Sequence, residues 1–158
     1  MEQFQSADTS KIVLFSLDKP KYALYLYAVE QVIRSVEITS LPKAPEIVLG
    51  VINLQGEIIP VIDIRKLFRL PTHDINLEDQ FIIARTSKRL VVLVVDLVIG
   101  VSELAGHQVI NSNEALPFAD YLLGITIYEN NIILINDLEK FLSLDEQRQL
   151  DNALNIVI

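Results

Sequence analysis

A stretch of this chain occurs twice. Residues 50–68 (GVINLQGEIIPVIDIRKLF) lie without a gap over residues 124–142 (GITIYENNIILINDLEKFL) at an offset of 74. Gly50 meets Gly124, Ile58 meets Ile132, Ile59 meets Ile133, Asp63 meets Asp137 and Lys66 meets Lys140. Gly56 falls on Asn130, and glycine and asparagine are the two residue types that best tolerate the left-handed backbone of a tight turn. Upstream, a weaker match at an offset of 69 lays Val29-x-x-Val32 over Val98-x-x-Val101. Each copy reads as strand, turn, strand, acidic cap and short helix. A unit that small cannot close a large core alone, so two copies are expected to bury apolar faces against each other.

The rest of the chain fits this β-rich plan. Residues 11–17 and 21–27 are β-branched and aromatic runs split by Asp18-Lys19-Pro20, and residues 29–38 continue in that style. Two prolines take residues 41–45 out of regular strand. Residues 47–54 and 57–62 form a hairpin around Gln55-Gly56. Asp63 then reads as the N-cap of a helical segment over residues 64–70. Residues 71–79 are a polar loop. Further hairpins are expected over 80–86 with 90–97 and over 122–128 with 132–135, with 98–104 a strand and 106–120 irregular. Asp137 caps residues 138–142. Ser143 and Glu146 form a capping-box pattern that opens a helix to about residue 154, with Leu150 and Leu154 on one face.

Charge is unevenly placed. The chain has 158 residues and a net charge of −8. Residues 1–89 carry 11 bases and 11 acids, and the remaining 69 carry 2 bases and 10 acids. An acidic chain without a basic stripe is a poor ligand for nucleic acid or anionic membranes. The absence of cysteine excludes a disulfide framework, a thiol nucleophile and a zinc–thiolate site. No apolar run approaches the ~18–20 residues of a membrane helix, and the N-terminus lacks a signal pattern, so a cytoplasmic protein is expected. Phosphate-loop, dinucleotide-binding and nucleophile-elbow motifs are absent. His73 and His107 read as solvated loop residues. Asp63 and Asp137 read as caps rather than as paired catalytic carboxylates. Asp96 ends an apolar run with no evident partner. Leu41, Val48 and Ile52 are either spare apolar surface for binding or core, and the sequence leaves both open.

Several blocks resemble the CheW-like chemotaxis coupling family. They are Leu41-Pro-x-Ala-Pro45, Gly50-Val-Ile-Asn-Leu-Gln-Gly56, Ile58-Ile-Pro-Val-Ile-Asp-Ile-Arg65, Tyr22-Ala-Leu, Val29-x-x-Val32, and Val94-Val-Asp96 before Val98. The resemblance runs in order over residues 11–155 and implies one mainly β domain. That domain is two packed five-stranded SH3-like β-barrel subdomains with short helices and a C-terminal helix. Coarse subdomains of 11–75 and 76–142 are expected, followed by the helix at 143–155 and preceded by a flexible N-terminus at 1–10. Which strands the two halves exchange stays open.

The resemblance also implies a non-catalytic adaptor without cofactor or metal. Such an adaptor couples the cytoplasmic tips of methyl-accepting chemoreceptors to the regulatory domain of a CheA-type histidine kinase, and is recruited to membrane-associated receptor arrays without inserting. Carried over residue by residue, receptor contact falls on Val29, Gln31, Gly50, Asn53, Gln55 and Gly56, and kinase contact on Ile38 and Leu41. Gln55 stands where the family usually has arginine, and Gln31 where it often has glutamate, so a fork of charged donors becomes a neutral amide. Those departures motivate an alternative: an adaptor of a divergent chemosensory pathway serving pilus motility or gene regulation. A small ligand-binding β-barrel or enzyme is the minor alternative. Partner association steered by the acidic half is expected to slow as salt rises, with contacts at the neutral half less sensitive; stopped-flow rates across ionic strength measure this.

Overall fold

The structure is a computed structural model, and it describes residues 8–104, 109–111 and 120–157. His107 and most of the N-terminal segment lie outside the described residues. In chain order come β1 (Lys11–Ser16), β2 (Lys21–Tyr25), a 3-10 turn (Leu26–Ala28), β3 (Val29–Arg34), β4 (Val48–Leu54), β5 (Glu57–Ile62) and α1 (Ile64–Leu67). β6 (Gln80–Arg85), β7 (Leu90–Val95), β8 (Leu97–Glu103), β9 (Ile110–Asn111), β10 (Leu122–Tyr128) and β11 (Asn131–Asn136) follow. A 3-10 turn (Leu138–Lys140) and α2 (Leu144–Val157) complete the fold.

Turn and cap chemistry sits where the residue types require it. The β4–β5 turn has positive φ at Gln55 (52°) and Gly56 (90°), and the β10–β11 turn at Glu129 (50°) and Asn130 (65°). Two positive φ angles in a two-residue loop match the twist of the flanking strands. The Asp63 carboxylate accepts from the Lys66 N–H at 3.2 Å, and that of Asp137 from the Glu139 N–H at 3.1 Å. The Ser143 hydroxyl accepts from the Glu146 N–H at 3.1 Å while Glu146 accepts from the Ser143 N–H at 2.9 Å, a closed capping box. The strand expected over 29–38 stops at Arg34, where the Ser35 N–H turns aside to the Asp79 carbonyl.

Two sheets result. One has the order β8-β1-β2-β11-β10-β9 and the other β3-β6-β7-β5-β4. Under the two repeat offsets the five-strand orders superimpose: β3 on β8, β6 on β1, β7 on β2, β5 on β11 and β4 on β10. Pairing agrees as well, since β5–β7 and β11–β2 are both parallel. The two-residue β9, with Ile110 opposite Ile125, has its counterpart in the single bridge between Thr39 and Val51. The sequential halves 11–75 and 76–142 therefore do not coincide with the sheets. The β1–β2 hairpin joins β8, β10 and β11, and the β6–β7 hairpin joins β3, β4 and β5. Each repeat donates its first hairpin to the other's sheet. The crossings are short: three residues between β2 and β3, and Asp96 alone between β7 and β8.

This exchange explains the unbroken apolar strands. Phe81, Ile83 and Val92 fill the inside of the β3–β7 barrel with Ile52, Ile59 and Val61. Their neighbours Ile82, Ala84, Val91 and Leu93 face a second core shared with Phe15, Leu24 and, from α2, Leu150 and Ala153. Ile12, Leu14, Ala23, Ile133 and Ile135 fill the other barrel. A strand covered on both faces reads as a continuous apolar run rather than as an alternation. Leu41, Val48 and Ile52 are all buried. They are core residues and not spare surface.

A polar latch ties each exchanged hairpin back to its own repeat. The Arg65 guanidinium, buried at the start of α1, donates from Nη1 to both Asp18 carboxylate oxygens at 3.1 Å and to the Pro71 carbonyl. From Nη2 it reaches Asp96 at 2.6 Å. Asp96 also accepts from the Asp18 N–H at 2.6 Å. Burial works against the Arg65 charge, but the bonds to Asp96 and Asp18 outweigh it and hold its pKa above the usual arginine value. At the matching place in the second repeat, Glu139 accepts from the Ser87 N–H and hydroxyl, both at 2.8 Å. Arg65 falls on Glu139 at the offset of 74, and Asp18 on Ser87 at the offset of 69. The latch is repeated with different chemistry. Arg89 adds a bond to Gln147 at 3.1 Å and an ion pair to Asp151, holding α2 against the β6–β7 turn.

Two stability measurements test these arguments. Arg65→Ala leaves two carboxylates facing each other without their counter-charge and is expected to cost about 3 kcal/mol in urea unfolding. A Cβ on Gly50 would lie 2.3 Å from the Thr39 carbonyl oxygen, whereas one on Gly56 meets nothing within 4 Å. Gly50→Ala is therefore expected to cost about 3 kcal/mol and Gly56→Ala, with only its positive φ to strain, about 1 kcal/mol. Equal costs would remove the packing argument.

Candidate partner-binding site

Four of the expected receptor-contact residues lie on one hairpin. Gly50 and Asn53 are on β4, and Gln55 and Gly56 form its turn. Asn53, Gln55 and Gly56 are exposed, and the Asn53 side-chain oxygen accepts from the Gly56 N–H at 2.8 Å, which braces the turn and leaves the Gln55 amide in solvent. Gly50 is buried. Its missing side chain admits the backbone of Thr39, which exchanges two 2.8 Å hydrogen bonds with Val51. Gly50 therefore shapes the surface rather than touching a partner through a side chain.

Val29 and Gln31 lie on β3, at the other end of the strand order from β4. Curling of the sheet brings the two edge strands to one cluster: Ile33 of β3 and Leu54 of β4 both pack against the buried group that includes Ile52 of β4. The pairing register of β3 with β6 shifts between Val29 and Gln31, the mark of a bulge that re-aims the side chains beside it. Val29 is half-buried against the central core, and Gln31 is exposed. Beside it, Arg85 donates to Glu30 at 3.1 Å, a surface pair worth little in stability but one that keeps charge on this face.

The two expected kinase-contact residues part company. Ile38 is half-buried, and its Cγ2 would lie 2.8 Å from a Cβ on Gly50. The surfaces expected for receptor and kinase are thus contiguous at Gly50 and Ile38. Leu41 is 7 % exposed and packs in the central core, so it supports the loop from beneath and offers no side chain to a partner. Its two neighbouring prolines interrupt the strand, and the chain turns this leucine inward there.

Asp96, for which the sequence shows no evident partner, is held by Arg65. The ion pair spans 31 residues of sequence, and its second arm, to Asp18, spans 47. No local pattern joins residues so far apart; the only trace in the sequence is a basic residue directly inside a buried cap motif. His73 is a half-exposed loop residue, with Nδ1 2.8 Å from the Asp74 carbonyl and Nε2 4.0 Å from Asp96. Among the described residues no group of three His, Cys, Asp or Glu is arranged to hold a metal ion, and no helix is long and apolar enough to cross a membrane.

Comparison with known proteins agrees with this architecture. The family model described as "CheW-like domain" matches residues 11–146. The protein is 28% identical over 145 residues to "Chemotaxis protein CheW" of Klebsiella aerogenes, covering 90% of this chain and 87% of that one. It is 30% identical over 132 residues to the protein of the same name from Thermotoga maritima, covering 84% and 87%. Among solved structures, the scaffolding protein TtCheW from Thermoanaerobacter tengcongensis superimposes with a TM-score of 0.76 at 29% identity, over 88% of this chain and 96% of that chain. The two exchanged barrels, the braced Asn53–Gly56 turn and the match over residues 11–146 together make this chain a member of the CheW-like family.

Proposed function

We propose that this protein is a chemotaxis adaptor that couples the cytoplasmic tips of chemoreceptors to the regulatory domain of a CheA-type histidine kinase, without catalysis of its own. The observation that carries the reading is the likeness to a scaffolding protein over nearly the full length of both chains. A scaffold that holds two partners converts their encounter into an intramolecular event at high effective concentration. Stiffness matters to that mechanism. The central core and the Arg65 latch join the sheets, so the β3 edge and the β4–β5 turn keep a fixed relation to each other. Val29, Gln31, Asn53, Gln55 and Gly56, with Gly50 shaping the strand beneath, form the receptor-facing surface. Ile38, backed by Leu41, leads toward the kinase. In a cell the protein would then be recruited to receptor arrays by these contacts.

A second reading is an adaptor of a divergent pathway serving pilus motility or gene regulation. It is favoured by the exposed Gln55 amide, which offers a neutral group where the family usually presents a charged fork.

Capture of purified kinase and receptor fragments by the immobilised protein tests the adaptor role. Binding of both is expected, and binding of neither at tens of micromolar would overturn it. Gln55→Arg is expected to strengthen capture of ordinary chemoreceptor tips several-fold with no change in kinase capture. An unchanged receptor affinity would show that the turn does not govern partner choice.

A further inference from the structure

A groove of about 1110 Å³ runs between the segment after β3, the start of β4 and the loop before β6. Its floor is Ile38, Ile75 and Val94, each packed from beneath on the filled interior of the β3–β7 barrel. Val36, Leu49 and Leu77 stand along its sides and are exposed, Leu77 at 90 %. Leu49 is displaced outward because the pairing of β4 with β5 shifts register between Val48 and Gly50. Leu77 is exposed on a loop whose backbone is held in place on either side of it. The Asn76 side-chain oxygen accepts from the Glu78 and Asp79 N–H groups at 2.8 and 3.1 Å, Asp79 accepts from the Asn76 N–H at 3.0 Å, and the Ser35 hydroxyl donates to the Asn76 carbonyl at 3.2 Å. A leucine presented to solvent on a hydrogen-bonded loop is an apolar anchor whose backbone ordering cost is already largely met.

The walls carry an excess of negative charge. Six carboxylates line the groove against one guanidinium, that of Arg65, which is already held by Asp18 and Asp96. The carboxylates of Glu37, Asp74 and Glu78 make no ion pair among the described residues. Small-molecule sites are typically about 300–1,000 Å³ and close around their ligand. This groove is larger and open along one side, and suits a run of side chains.

We propose that the groove docks a cationic amphipathic helix of a protein partner, with apolar side chains on Ile38, Leu49 and Leu77 and lysine or arginine facing Glu37, Asp74 and Glu78. The inference deepens the adaptor reading and rests on it for the partner's origin. It also places a salt-sensitive contact in the half of the sequence that is neutral in sum.

The test is a titration of the ¹⁵N-labelled full chain with a synthetic helical peptide of leucine and lysine, leucines at i, i+3, i+4 and i+7, and with its leucine–glutamate counterpart. The cationic peptide is expected to shift amides of residues 36–38, 49 and 73–79, and its affinity to fall about tenfold in Leu49→Ser/Leu77→Ser and by a similar factor in Glu37→Gln/Asp74→Asn/Glu78→Gln. All five substituted side chains are at the surface, so both variants keep the fold. Shifts confined to α2 or the β10–β11 hairpin, equal binding of the two peptides, or unchanged affinity in both variants would each overturn the proposal. So would movement of the same amides with protein concentration alone, which would mark a second copy as the occupant. In the kinase and receptor capture assay, undiminished capture by both variants counts against the groove alone. Absence of capture by the parent protein counts against the adaptor role and leaves the peptide titration to judge the groove.

Discussion

The central core exists because each repeat gives its first hairpin away. Phe15 and Leu24 come from one sheet, Ile82 and Leu93 from the other, and Leu150 from the C-terminal helix. No single repeat supplies enough apolar surface to close this core. With the hairpins exchanged, every barrel contains strands of both repeats, and separating the barrels would break a sheet. The two halves are therefore joined by backbone hydrogen bonds as well as by packing, which is a stiffer union than an ordinary domain interface. For a chemotaxis adaptor, that stiffness carries the mechanism: two partners held on one such body are constrained to move together.

The polar latch follows the same exchange. Arg65 and Glu139 occupy matching positions and reach matching turns, yet one is a buried cation between two carboxylates and the other an exposed acceptor for Ser87. What has been kept between the repeats is the place of the tie and not its chemistry. The first repeat holds its tie between β5 and the polar loop that carries Leu77, next to the groove; Asp96 both pairs with Arg65 and lines that groove. The same carboxylate that anchors the crossing between β7 and β8 thus contributes to the surface potential there.

Three of the six residues expected to face a receptor sit at one turn, and that exposed turn could be read in the sequence. Asn53, Gln55 and Gly56 are adjacent, and the side-chain preferences that make a type I′ turn also expose its tip. Ile38 and Leu41 could not be sorted in that way. They are three residues apart in an irregular segment with no period of two or 3.6 to say which faces inward, and packing alone placed Leu41 in the core and Ile38 over Gly50. Val48 and Ile52 resist sorting for a different reason: the register shift between Val48 and Gly50 breaks the period of two along β4, so alternation does not say which side chains face inward.

The sequence by itself determined the hairpins, the caps at Asp63, Asp137 and Ser143, and, by comparison of its two halves, the twofold repetition. The hairpins and caps depend on residues within a few positions of one another, where backbone sterics and short hydrogen bonds decide. The tertiary structure alone decided the exchange of hairpins, the partners of Arg65 and the burial of Leu41. It also decided where charge gathers. Residues 1–89 are neutral in sum, yet their fold collects Glu37, Asp74 and Glu78 around one apolar groove. Net charge is a sum over the chain, whereas a partner meets the potential of one surface, and only the path of the backbone determines which charges share it.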